Sequence, residues 1–425
     1  MLFERWREIA RSCRDEIALR DLVTDGSWTF AELAAAAEIG AKAMGRVAFP
    51  QGHSAQFIFE VLRAWRLGQA VCPLEPNQGI PHLKEELPAG VVHLKTTSAT
   101  TGAPQHVAFT EEQLIADAEN IATTMGLRPD WPNLGMISLA HSYGFSNLVL
   151  PLLLRGIPLV LVGATLPEAL RRGAASGESF TLAAVPALWR AWHEAGAIPE
   201  NVRLAISAGA PLSLSLEQSV FRQVGLKLHN FYGSTECGGI AYDASDKPRA
   251  DGFCLGAPLN NVHVSIADDA CLEVRGNAVG KTHWPESKPN LSKGVFHSSD
   301  LAEISDGLVY FRGRACDRIN IAGRKVSPET IERALAAHPQ VRECLAFGIP
   351  SADAERGETI VACLAARGKV TGDSLKQYLM AQLPAWQVPR EWWIVESLET
   401  NGRGKISRGD WRKRYLERNE SKPQG

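Results

Sequence analysis

The sequence predicts an α/β fold, a large N-terminal part of helix-flanked sheets with a small β-rich unit, followed by a smaller α+β part. Three observations carry this. Over the first 240 residues, apolar runs of strand length alternate with stretches of helical periodicity. After residue 240 the pattern changes to short strands separated by turn residues. Beyond a charged, glycine-led stretch at 313–318, a helix opened by Pro328, two strands and a further helix follow. At 425 residues the chain exceeds a single typical core. The expected division is 1–312, a linker at 313–318, and 319–425.

The elements follow in order. Residues 28–30 end a strand and lead into an alanine-rich helix. Residues 56–66 carry apolar side chains at helical spacing, and Gly68 stops them. Residues 70–74 read as a buried strand, 111–125 as a helix, and 134–139, 159–162 and 204–207 as strands. Residues 271–276 and 308–312 are short strands of the β-rich unit. In the last third, 328–335 and 373–382 read as helices and 344–349 and 359–365 as strands. The tail from Arg408 is basic, then polar, and is expected to fray at its end.

Composition excludes several classes. A formal net charge of −2 gives no electrostatic reason to expect nucleic acid or an anionic membrane. No apolar run reaches membrane-spanning length, since residues 148–154 end at Arg155. The opening residues alternate charge with apolar side chains, so no signal peptide is expected. Eight scattered cysteines without a C-x-x-C pair argue for reduced thiols and a cytoplasmic setting, against a zinc site or a disulfide framework.

The chemically suggestive stretch is 95–105, Lys-Thr-Thr-Ser-Ala-Thr-Thr-Gly-Ala-Pro-Gln. Five hydroxyl side chains fall within six residues, after an apolar run at 89–94 that has strand character. Taken alone, it reads either as a hydroxyl-rich surface turn or as a cradle of hydroxyl and N–H donors for an anion. It is not a Walker loop.

Further segments occur in order behind it: 208–212 (Ala-Gly-Ala-Pro-Leu), 232–236 (Tyr-Gly-Ser-Thr-Glu), Asp300-Leu301, 313–326 and 404–408 (Gly-Lys-Ile-Ser-Arg). In this order and spacing the chain resembles the adenylate-forming superfamily of acyl- and aryl-CoA ligases, adenylation domains and luciferases, over nearly its whole length. The resemblance implies a mobile C-terminal domain. It also implies a two-step reaction: a carboxylate attacks the α-phosphorus of ATP, and a thiol then attacks the acyl-adenylate.

The resemblance also implies site residues. Lys405 matches the C-terminal lysine that bridges acid and α-phosphate, and Glu236 the carboxylate that helps hold Mg²⁺. Thr235 would donate to the α-phosphate, and Thr97, Ser98, Thr100, Thr101 and Gly102 belong to the phosphate loop. Gly209, Ala210 and Pro211 resemble the segment along adenine, completed by Asn230 and Tyr232. Asp300 resembles the ribose-binding carboxylate, with Arg314 and Lys325 as basic residues over the nucleotide. His141, Tyr143, Ala208 and Gly238 border the implied acid pocket, and Cys316 falls at the hinge. Each has a plainer reading: solvated charges for Lys405, Arg314 and Lys325, a helix start for Thr235–Glu236, ordinary core for His141 and Tyr143.

The pattern is departed from in the loop. Ala99 stands for its first glycine, Gln105 for its lysine and His106 for its second glycine, while Ser299 replaces the glycine before Asp300. Losing a cation that faces phosphate weakens binding by about 1–3 kcal/mol. The span from Pro73 to Thr97 is also shorter than the family usually has. Three functions stay open: a ligase forming a thioester with coenzyme A from an aryl or fatty acyl acid, the same activation with transfer to the phosphopantetheine of an acyl carrier protein, and a non-catalytic nucleotide-binding homologue.

Overall fold

The computed structural model describes residues 2–39, 45–83, 85–97, 105–351, 357–399 and 406–420. Backbone contacts divide the chain into two units. One comprises 1–265, 273–297 and 304–310, the other 266–272, 298–303 and 311–425.

The first unit is built on a parallel sheet. Its strands run Leu228–Ser234, Val202–Ser207, Phe180–Ala184, Asn133–Gly135, Leu159–Leu161 and Ile17–Asp21 across the sheet, with Gly26–Thr29 antiparallel at one edge. On the other side Gly238–Tyr242 and Cys254–Pro258 continue it antiparallel. The strand expected over 134–139 stops at Gly135; the chain then turns into the short helix Ser142–Gly144, where Gly144 is needed because a Cβ would stand 1.9 Å from the Ser138 carbonyl oxygen. Helix Phe30–Glu38 is started by a capping box in which Thr29 and Glu32 bond reciprocally. The apolar run at 148–154 is core: Leu150–Arg155 has every residue before Arg155 buried, as an all-round hydrophobic helix requires.

A second sheet in this unit runs Thr282–Trp284, His106–Thr110, Val91–Thr96, Ala70–Val71, Val47–Ala48. Val91–Thr96 and His106–Thr110 pair antiparallel, Lys95 opposite Val107 and Thr96 opposite His106. The hydroxyl-rich stretch is therefore the connection of a β-hairpin.

In the second unit Val341–Pro350 pairs antiparallel with Glu358–Ala366, which runs parallel to Glu391–Val395. Both faces of this sheet are covered, so alternate residues enter two cores. Ala346, Ile360, Ala362 and Leu364 pack with helices Pro328–Ala336 and Gly372–Met380. Leu345, Phe347, Val361 and Cys363 pack with Trp411 and Tyr415 of helix Arg408–Glu420. The tail is thus helical as far as Glu420, and the end expected to fray lies outside the described residues. Its apolar side chains, Trp411 and Tyr415, are spaced i, i+4 and enter one core.

Among the described residues no helix is long and apolar enough to cross a membrane, and the eight cysteines are free thiols.

Candidate active site

Several expected site residues of the first unit lie on or just beyond strands of the parallel sheet. Val202–Ser207 leads into Ala208, which is buried and donates its N–H to the Ala184 carbonyl at 3.2 Å. Gly209 follows with φ +84°, and Ala210 and Pro211 then lead to helix Leu214–Val224, capped by Ser213. In the register Ser207 is opposite Asn230, so the 208–211 segment leaves the sheet beside the strand carrying Asn230 and Tyr232. Crevices at the carboxyl ends of parallel strands are where α/β sheets bind ligands. Asn230 is 5% exposed, and its amide donates to the Cys254 carbonyl at 3.4 Å.

A buried charge network underlies this segment. Arg249 donates to the carbonyls of Leu212 and Cys254, each at 2.7 Å. Its guanidinium pairs with Glu217 at 2.9 Å; Lys227 pairs with Glu217 and, at 2.6 Å, with Asp243.

Thr235 and Glu236 occupy a tight turn between the antiparallel strands Leu228–Ser234 and Gly238–Tyr242; no helix begins there. The turn is pinned on three sides. Cys237 N–H donates to Ser234 Oγ at 3.2 Å, Gly280 N–H to the Glu236 carbonyl at 2.7 Å, and Gly239 N–H to Asp117 Oδ1 at 3.3 Å. Both Thr235 and Glu236 are half-buried. Burial pushes the Cys237 thiol well above its ordinary value, against the Ser234 hydroxyl and with the Glu236 and Asp117 charges, so it is no thiolate nucleophile.

Asp117 also receives Lys95 Nζ at 3.0 Å and Ser146 Oγ at 2.6 Å on its other oxygen. Lys95 stands two residues before Thr97, whose N–H and hydroxyl both donate to the Gln105 carbonyl, at 2.8 and 3.0 Å, closing the neck of the hairpin. Ser98, Thr100, Thr101, Gly102 and the substituted Ala99 lie outside the described residues. His106 begins the returning strand, buried, its ring 5.8 Å from Trp284.

At the implied acid pocket, His141 Nδ1 accepts from Tyr143 N–H at 3.2 Å and caps the short helix. Tyr143 is buried, its ring 6.0 Å from Phe231 and its hydroxyl 3.5 Å from the Ile206 carbonyl, to which Trp189 also donates. Burial raises the Tyr143 phenol pKa, so the group stays protonated. Gly238 has φ +69°, and a Cβ there would stand 1.9 Å from Asp117 Oδ1.

In the second unit Asp300 accepts Arg314 Nε at 3.1 Å. Lys325 is exposed on the two-stranded hairpin Ile319–Ile321 and Arg324–Val326. Cys316 is exposed in a single 3₁₀ turn, Ala315–Asp317, after Gly313, whose φ is +113°. Lys405 lies outside the described residues; Arg408, three residues on, meets Asp317, Glu329 and Glu332.

From sequence, Lys95 stands only as the first residue of the 95–105 stretch, and Asp117, Ser146, Glu217 and Arg249 do not stand out. A signal existed for Asp117: it lies on the buried face of helix Glu111–Met125 with Leu114, Ala118 and Ile121, where a carboxylate is out of pattern.

Comparisons with known proteins show the family and the fold. The family model described as AMP-binding enzyme matches residues 84–284, and that described as AMP-binding enzyme C-terminal domain matches 330–405. A feruloyl-CoA synthase from Amycolatopsis is 29% identical over 358 residues, covering 78% of this chain and 72% of the relative. A probable 2-succinylbenzoate–CoA ligase from Mycobacterium tuberculosis is 27% identical over 359 residues, covering 79% and 88%. The fold is like that of ATP-bound MatB from Rhodopseudomonas palustris, with TM-score 0.85, 19% identity, and 97% and 98% of the two chains covered.

Proposed function

Since the chain belongs to the adenylate-forming superfamily and is an AMP-forming acid–CoA ligase, we propose that it activates an aryl carboxylic acid as its adenylate and passes the acyl group to coenzyme A. In the first half-reaction a carboxylate oxygen attacks the α-phosphorus of ATP and pyrophosphate leaves. In the second, the thiol sulfur of coenzyme A attacks the acyl carbon and AMP leaves.

The chain's own residues take these parts. The hydroxyls of Ser98, Thr100 and Thr101, with the Gly102 backbone, hold phosphate oxygens, Thr97 closes the neck of their loop on the Gln105 carbonyl, and the Thr235 hydroxyl donates at the α-phosphate. Gly209, Ala210, Pro211, Asn230 and Tyr232 form the adenine side, Asp300 takes the ribose hydroxyls, and Arg314 and Lys325 add positive charge. Glu236 suits Mg²⁺, being a half-buried carboxylate on a turn fixed by three backbone hydrogen bonds. When bound, that ion neutralises phosphate charge. Lys405 brings an ammonium to the carboxylate and α-phosphate, and rotation at Cys316 exchanges the C-terminal domain between the half-reactions. Free thiols throughout suit a cytoplasmic enzyme.

The observation that supports this reading most is the pinned Thr235–Glu236 turn, which shares one carboxylate, Asp117, with the strand entering the hydroxyl-rich loop. An aryl substrate is favoured by the tilted Tyr143–Phe231 ring pair and by the small residues Ala208 and Gly238 of the implied acid pocket.

The test is carboxylate-dependent ATP–pyrophosphate exchange with Mg²⁺ across aryl, short, medium and long acyl acids. Exchange is expected with aryl acids, and Lys405→Ala should abolish it while sparing thioester formation from a pre-made acyl-adenylate. Silence with every acid from folded protein overturns the reading. An acceptor assay then separates coenzyme A from a carrier-protein phosphopantetheine.

A further inference from the structure

We propose that Asp117 is a positioning residue for nucleotide binding, with Lys95 as its partner. One buried carboxylate holds the hydroxyl-rich hairpin and the Thr235–Glu236 turn in fixed relation. The inference rests on the nucleotide-site reading above and assigns to that site two residues that do not touch nucleotide.

The geometry joins four segments distant in sequence. Asp117 Oδ2 accepts Lys95 Nζ at 3.0 Å and Ser146 Oγ at 2.6 Å, and Lys95 Nζ also donates to Ser146 Oγ at 3.0 Å. Asp117 Oδ1 accepts the Gly239 N–H at 3.3 Å. Lys95 precedes Thr97 by two residues on a strand, Gly239 follows Glu236 by three, and Asp117 lies in the middle of the rigid helix Glu111–Met125. A shift of either segment therefore pulls on a group shared with the other.

The position of the pair argues against simple core filling. Each side chain is 1% exposed, and the Lys95 ammonium stands 4.6 Å above the Phe109 ring. An ion pair so buried is often no more stabilising than apolar residues of the same volume, so a role beyond stability is the better account of it. The turn is moreover shaped around the carboxylate: Gly238 has φ +69°, and any Cβ there would sit 1.9 Å from Oδ1. Without Asp117, the Gly239 N–H loses its acceptor in a buried position.

Lys95 is not a relocated phosphate lysine standing in for Gln105. It is 2% exposed, and its ammonium is engaged by Asp117 and Ser146. Its influence on phosphate binding runs through the hairpin backbone.

Three variants test this: Asp117→Asn, which keeps the side-chain shape, Lys95→Met, and the two combined. The combination leaves no unpaired buried charge, so it carries the test if a single variant fails to fold. Each is compared with wild type, at a temperature where circular dichroism shows it folded, by calorimetric binding of ATP with Mg²⁺ and by pyrophosphate exchange. The expected result is a rise of roughly tenfold or more in both the ATP dissociation constant and the KM for ATP, with the KM for the acid changed less than about twofold. A lowered melting temperature with unchanged ATP binding, or equal rises in both KM values, overturns the proposal. Wild type that binds ATP while the variants bind equally well fails this inference alone; wild type that binds no ATP fails the nucleotide-site reading and the inference together.

Discussion

Arg408 and Asp317 form an ion pair that ties the helix after the Lys405 segment to the residue after Cys316. The same guanidinium reaches Glu329 at 3.0 Å and Glu332 at 2.9 Å, and its Nε donates to the Ala346 carbonyl at 2.9 Å. One cation thus answers three carboxylates with its side chain only 20% exposed. Burial raises the Glu332 pKa even against the pull of Arg408, and Glu329 adds to the rise, as expected of an acid in an anion-rich cluster.

Replacing Arg408 by methionine leaves these carboxylates without their counter-ion. Partial exposure moderates the penalty, so a loss of about 2–3 kcal/mol is expected, below the range for fully buried pairs. Because Arg408 sets where helix Arg408–Glu420 begins, adenylate formation should fall more than thioester formation from a pre-made adenylate. Arg408→Lys should recover little, since one ammonium does not replace a fork that also binds a carbonyl. Chemical denaturation and the two half-reaction assays check this; equal losses in both half-reactions refute the link to the Lys405 segment.

The first unit should be acid-sensitive through its histidines. Burial lowers the pKa of His53, His93, His106, His229 and His283, and for His93 the Lys95 charge adds to it. Both ring nitrogens of His93 lack a hydrogen-bond partner among the described residues, and its ring lies 4.3 Å from that of Phe145. The unfolded chain takes up protons near the ordinary value of 6.5 while the native chain does not. The stability present above pH 6.5 is therefore lost as pH falls below it, by up to about 1.4 kcal/mol per pH unit for each such group. His93→Leu should flatten the fall in melting temperature between pH 7 and pH 5.5; an unchanged slope would show that His93 protonates as readily in the native state.

Much of the fold was legible because local pattern and tertiary role coincide. Residues 111–125 form a helix with the predicted bounds, and 271–276 a strand with the predicted bounds. The strand predicted over 134–139 stops at Gly135, and the chain folds back so closely that Gly144 packs on the Ser138 carbonyl, a tertiary approach the apolar run does not reveal. The helix from Arg408 escaped because its sequence is dominated by charge, and only Trp411 and Tyr415 show where it packs. At the candidate site, short motifs such as 232–236 and 208–212 stand out because their residues are contiguous in sequence. Lys95, Asp117, Glu217 and Arg249 do not, since each acts through partners far away in sequence: Asp117 and Gly239 are 122 residues apart.

The network under the 208–212 segment yields the last prediction. Arg249 and Glu217 are 3% and 0% exposed, and Glu217 also pairs with Lys227 and accepts the Arg249 N–H. Arg249 donates to the carbonyls of Leu212 and Cys254, and the latter also accepts from Asn230. Arg249→Met should cost about 3 kcal/mol, because among the described residues buried Glu217 keeps only Lys227 as counter-ion, the Cys254 carbonyl keeps only Asn230, and the Leu212 carbonyl loses its guanidinium donor. Glu217→Gln should cost less, since a neutral amide still offers an acceptor to Arg249. In the double variant the losses should fall well short of additive, with a coupling of about 1–3 kcal/mol, as for neighbours in one network. Arg249→Met should also weaken AMP binding, because the 208–212 segment loses the donor that fixes the Leu212 carbonyl. A double-mutant cycle by urea denaturation, with AMP titration of each folded variant, measures both; strict additivity would mean that the two residues act independently despite their 2.9 Å contact.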